Sequence, residues 1–103
     1  MNKMESMVDL IRDWHYDRNL IEGSTDKAQL VKLKEEMYEL EMSVRDGKSP
    51  IDDIGDMIVV LINIAERNQL SILECLEYAY SEIKDRKGIM VDGIFVKQQD
   101  IQE

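Results

Sequence analysis

The chain has 103 residues, enough for one domain, and at this size folding buries only about 60 to 65% of the surface an unfolded chain exposes. Apolar residues make up 44% of it and charged residues 34%, the balance of a globular helical protein rather than a disordered one. Its 22 acidic and 13 basic residues leave a formal charge of −9, which argues against polymeric nucleic acid or an anionic membrane as a partner; a small anionic substrate stays open if a divalent cation bridges it to carboxylates.

Met4, Met7, Val8, Leu10, Ile11 and Trp14 recur at three- and four-residue steps and predict a first helix from Met4 to about Leu20. Glu22-Gly23-Ser24-Thr25 breaks it. Ser24 or Thr25 is placed to cap a second helix with Leu30, Leu33, Met37, Leu40 and Val44 on one side, which Asp46-Gly47-Lys48 ends. Ser49-Pro50 followed by Asp52 reads as an N-cap, a proline at the first helical position and an acid at the positive end of the dipole, opening a third helix that runs to about Asn68.

The apolar residues of this third helix, Ile54, Met57, Ile58, Val59, Val60, Leu61, Ile62 and Ile64, occupy most of its circumference. Such a helix belongs at the centre of an assembly. A short chain surrounds it most economically with the same helix of a second copy about a two-fold axis, so the expected state is a homodimer or a dimer of dimers.

Ser71 with Glu74 three residues on forms a capping box for a fourth helix through Leu73, Leu76, Ala79, Tyr80 and Ile83, with Gly88 as its stop. Two short β-prone runs then flank Asp92-Gly93, predicting a small C-terminal hairpin or extended arm over 89–96. No repeat, low-complexity tract or linker divides the chain, so residues 1–103 read as one domain, an all-α four-helix bundle.

Cys75 is the sole cysteine and cannot form an internal disulfide; its apolar helical setting predicts a packed thiol. There is no basic-then-apolar leader, and even Ile54 to Ala65 is interrupted by Asp56 and Asn63. The expected location is the cytoplasm.

Chemistry is suggested by two carboxylate pairs. Glu36 and Glu39 are three apart in helix two and border its apolar stripe, while Asp53 and Asp56 repeat the spacing in helix three, on which Asp52, Asp56, Asn63 and Arg67 form a polar strip. A solvated acidic face is the plainer account of such residues. Against it, like charges at this spacing destabilise each helix by a few tenths of a kcal/mol per pair, and repulsion beside buried stripes invites a cation. An all-oxygen ligand set suits Mg²⁺ or Mn²⁺ and suits zinc poorly. A di-iron site is excluded because it needs Glu-x-x-His, and the only histidine, His15, has Arg12 three residues before it.

In these residues the chain resembles the MazG-like all-α nucleotide pyrophosphohydrolases, whose hallmark is E-x-x-E followed, after a gap, by E-x-x-D on an adjacent helix. Here it reads Glu36-x-x-Glu39 and Asp53-x-x-Asp56. The likeness extends over the lead-in from Lys27 to Leu33, over Asp52-Asp53-Ile54-Gly55-Asp56, and over Ile83-Lys84-Asp85-Arg86-Lys87-Gly88 with its hairpin. The departure is Asp53, where the family has Glu; the shorter side chain implies contact with the metal through water.

The resemblance implies an intertwined oligomer that hydrolyses a nucleoside triphosphate, a deoxynucleotide in particular, between the α and β phosphates, giving a monophosphate and pyrophosphate. Mg²⁺ would be held by Glu36, Glu39, Asp56 and Asp53. Glu35 is the candidate general base, or equally an exposed residue paired with a lysine. Lys84, Arg86 and Lys87 form the densest basic cluster and suit phosphate oxygens or a helix C-terminus. Lys32 suits a phosphate or an i,i+4 pair with Glu36. Trp14, with His15 and Tyr16, suits a nucleobase or the core, and Asn63 a sugar or base edge or a buried hydrogen bond across the dimer. Two rival readings are a phosphoribosyl-ATP pyrophosphohydrolase using the same metal site, and a non-catalytic dimeric protein that docks a partner through Ile94 and Phe95.

Overall fold

The computed structural model describes residues 2–101. Four helices, α1 (Lys3–Asp17), α2 (Asp26–Arg45), α3 (Ile51–Arg67) and α4 (Ile72–Ile83), precede a two-stranded hairpin, β1 (Gly88–Val91) and β2 (Ile94–Lys97), and a single 3₁₀ turn over Gln98–Asp100. Two compact units result, one reaching Ile72 and the other starting at Leu73.

In the first unit each helix start and stop has a local cause. The Asn2 side chain accepts from the Glu5 N–H at 2.8 Å, and the Thr25 hydroxyl accepts from the Ala28 N–H at 3.0 Å, each satisfying a helix donor that has no partner of its own. Helix α1 stops at Asp17, short of the expected Leu20, because Asn19 turns to a φ of 55°. Gly47, at a φ of 67°, follows the end of α2. Pro50 takes the N-cap position of α3, not the expected first helical one, and Ser49 Oγ accepts from Ile51 N at 3.4 Å.

Helix α3 packs against both α1 and α2. Among the described residues the buried apolar set is small, Ile21, Val60, Ile62 and Ala65, and an equal number of buried residues are polar: His15, Glu36, Asp53 and Asn63. The stripe expected to bury α2 is largely open in the single chain, with Leu30, Met37 and Val44 exposed. So is a face of α3 that carries Ile51, Ile54, Ile58 and Leu61 at helical spacing.

Polar contacts tie the three helices together. Arg67 at the end of α3 pairs through Nε with Asp26 Oδ1 at 3.0 Å and donates from Nη1 to the Ile21 carbonyl, while Asn68 donates to Asp26 Oδ2 at 3.1 Å. Glu66 receives the Tyr16 hydroxyl at 2.7 Å and pairs with Arg12 Nε at 3.1 Å, joining α3 to α1.

In the second unit α4 buries none of its residues, and Cys75 is half-buried rather than fully packed. The hairpin pairs antiparallel from Gly88 with Lys97 to Val91 with Ile94. Asp92 and Gly93 form its two-residue turn with φ of 50° and 81°, the doubly positive geometry that matches strand twist and that glycine adopts without steric cost. Gly88 is not the helix stop expected of it. α4 ends at Ile83, and Gly88 lies in β1, where a Cβ would collide with the Val96 carbonyl and the Phe95 ring. Among the described residues no helix is long and apolar enough to cross a membrane.

Candidate metal centre

Glu36 and Glu39 on α2 and Asp56 on α3 each direct a carboxylate oxygen to one place, the three atoms lying within 4.8 Å of one another. The i,i+3 spacing puts the two glutamates on one face of α2, and the packing of α2 on α3 sets Asp56 opposite them. Glu36 is buried, Asp56 partly so, and Glu39 exposed. The set therefore has an inner wall and an open side.

The electrostatics are those of acids held too close. A hydrogen bond with Glu36 and then its like charge push the Glu39 carboxyl above its usual pKa, with desolvation and Asp53 adding to the effect and Lys32 opposing it. Asp56 is raised as well, first by desolvation and then by the charges of Asp52 and Glu36. Within the buried Glu36 carboxylate, Oε1 meets Lys32 Nζ at 3.1 Å, whereas Oε2 is buried with no hydrogen-bond donor. A buried carboxylate oxygen without a donor is costly, and a hard divalent cation is a natural partner for it. The residues present fit Mg²⁺ or Mn²⁺: three carboxylates from two rigid helices, no sulfur and no imidazole among them.

The other residues singled out by sequence take varied places. Asp53 is buried beside the cluster, close enough to raise Glu39, but stands outside the converging set. Glu35 is exposed and 3.6 Å from Lys32, which bridges it to Glu36. Of the alternatives open for Lys32, the ion pair with Glu36 is the one formed.

Asn63 is fully buried and presents its amide to His15 Nδ1 at 3.3 Å and to the Leu20 carbonyl at 3.0 Å, so it serves the junction of α1 with α3. His15 is buried with it and Tyr16 is engaged by Glu66. Trp14 stays 45% exposed, with the Arg18 guanidinium 4.4 Å above its ring. Arg86 and Lys87 lie in the second unit, where they line an open groove with Glu82, Asp85, Gln98 and Gln99; Lys84 follows α4 in the same unit.

Two structural roles escaped the sequence reading. The Asp26–Arg67–Asn68 clamp joins residues more than forty positions apart, which no local spacing reveals. The burial of His15 had one sequence signal, a lone histidine next to Trp14 on an otherwise apolar helix face.

No family model and no solved structure matches this chain. A curated relative, an uncharacterised 18.2 kDa protein in the rep-hol intergenic region of Haemophilus phage HP1, is 39% identical over 77 residues. The match covers 72% of this chain and 47% of the phage protein, so the chain spans about half the length of that relative.

Proposed function

We propose that this chain is a Mg²⁺-dependent nucleoside triphosphate pyrophosphohydrolase of the MazG-like type, cleaving between the α and β phosphates. The observations that carry the reading are the convergence of Glu36, Glu39 and Asp56 on one place and a buried oxygen of Glu36 that lacks a donor. The Glu36-x-x-Glu39 and Asp53-x-x-Asp56 pattern supports it from the sequence side.

In this reading Glu36, Glu39 and Asp56 hold the ion, with Asp53 behind them. When bound, Mg²⁺ supplies charge neutralisation at the phosphates and Lewis-acid polarisation of the reacting centre. The open side at Glu39 admits the phosphate chain. Glu35, exposed one position before Glu36, accepts the proton of the attacking water. The half-exposed Trp14, in the same unit as the acids, offers a stacking face to a base. The open α3 face of Ile51, Ile54, Ile58 and Leu61 is covered by a second copy, in a homodimer or a dimer of dimers.

The test is pyrophosphate release from a panel of ribo- and deoxyribonucleoside triphosphates with Mg²⁺, with Glu39→Ala as control. Release from one or more nucleotides, abolished in the variant, is expected. No release from any of them, or undiminished release by Glu39→Ala, overturns the reading. It would favour instead a partner-binding protein that uses the exposed Ile94 and Phe95 of the hairpin.

A further inference from the structure

Glu36 answers to two cations. Its carboxylate keeps only 6% of its surface, yet one of its oxygens is already met at 3.1 Å by Lys32, which reaches in from a position one turn earlier on α2. The lysine side chain is 54% exposed, so it can move, while its ammonium sits against the inner wall of the acid cluster. Its other ionic partner among the described residues is Glu35, 3.6 Å away with a side chain 60% exposed. The ammonium therefore has an outer seat beside its inner one.

An ammonium is a tethered monovalent cation, and a divalent ion entering the same oxygens meets it as a like charge at short range. Glu36 cannot give both oxygens to a metal while Oε1 faces Lys32. On the side of the metal-free chain, the lysine relieves part of the repulsion among Glu36, Glu39 and Asp56.

We propose that Lys32 is a built-in competitor for the divalent cation, seated on Glu36 when the metal is absent and displaced from it when the metal binds. The inference rests on the metal-centre reading and deepens it by naming what regulates that site. It has a consequence for substrate. A displaced ammonium gains a new anionic partner when a phosphate chain arrives with the metal, so metal and nucleotide load together better than metal alone.

The experiment titrates Mn²⁺ alone, followed by calorimetry and by the paramagnetic signal of free Mn²⁺, into the wild-type chain, Lys32→Met, Lys32→Gln and Lys32→Arg. Lys32→Gln keeps a donor for Glu36 without the charge, and circular dichroism verifies that each variant is helical. Lys32→Met and Lys32→Gln are expected to bind Mn²⁺ roughly ten-fold more tightly than wild type, and Lys32→Arg to resemble wild type. Binding by the neutral variants with a silent wild type supports the inference in its strong form. Wild-type binding that either folded neutral variant leaves unchanged or weakens overturns the competitor role while the metal centre stands. If no form of the chain binds Mn²⁺, the metal centre itself fails, and the inference fails with it.

Discussion

The side-chain amide of Asn63 on α3 donates to Nδ1 of His15 on α1 across 3.3 Å, and both side chains are buried, at 0% and 3% exposure. The same amide donates to the Leu20 carbonyl at 3.0 Å, a group that can only accept, which fixes the amide orientation. A ring nitrogen that accepts carries no proton, so the imidazole hydrogen sits on Nε2 and points to the Val59 carbonyl 3.0 Å away. Asn63→Ala removes the donor and strands one buried acceptor, His15 Nδ1, and one partly buried acceptor, the Leu20 carbonyl. A loss of about 2 to 4 kcal/mol in urea unfolding is expected, and a loss below about 1 kcal/mol would mean that the junction relaxes around the gap.

Removing one member of the acid cluster separates its two roles. Glu39→Gln removes the charge that Glu36 repels, so the metal-free chain is expected to unfold at the same or a higher temperature than wild type at neutral pH. The same change deletes a proposed ligand, so Mn²⁺ affinity is expected to fall at least ten-fold, together with any stabilisation by Mn²⁺. Thermal melts with and without the ion measure both. A variant that melts lower without metal and binds it normally would show the acids to be merely structural.

Acid should loosen the clamp at the end of α3. Asn68 and Arg67 donate to the Asp26 carboxylate and hold its pKa below the usual range. A carboxyl depressed in the folded state contributes stability that is complete above its unfolded value, about pH 4, and is lost as pH falls through the folded one. Asp26→Asn is therefore expected to be less stable than wild type near neutrality and to show a shallower decline below about pH 4 in a pH series of urea melts. An unchanged acid limb would place the titrating group elsewhere.

Thr25 caps α2 by accepting from Ala28 N at 3.0 Å. Thr25→Ala is expected to cost about 1 kcal/mol, and Thr25→Ser or Thr25→Asp to restore most of it. Because the Asp26 clamp is adjacent, any loss well beyond this in Thr25→Ala would reveal that cap and clamp act as one unit.

How much of this was legible in the sequence depends on how local the cause is. Helix periodicity, the cap of α2 and the Asp92-Gly93 turn act over a few residues; the turn is where the spacing put it, and of the two expected cap residues, Ser24 and Thr25, the cap is Thr25. The pairing of Glu36 and Glu39 on one face of α2 follows from the i,i+3 step, and the approach of Asp56 from the antiparallel neighbour. Gly88 misled because glycine marks both a helix stop and a close backbone approach, and only the strand partner Val96 decides between them. Asn63 looked like a polar residue near the acids; its actual partners, His15 and Leu20, lie more than forty positions earlier. Asp53 is one methylene shorter than glutamate, and the consequence of that lost reach is visible only where the other three side chains are placed.

The Asp26–Arg67 ion pair can be viewed as the hinge of a caliper. Counted from it, Glu36 lies ten residues along α2 and Asp56 eleven residues back along α3, arms of about 15 and 16 Å at the usual helical rise. Nearly equal arms bring the tips level, so the gap between the carboxylates is gauged about three helical turns from the hinge. Slackening the hinge with Arg67→Ala should widen that gap and blunt any divalent-ion affinity without altering one of the proposed ligands.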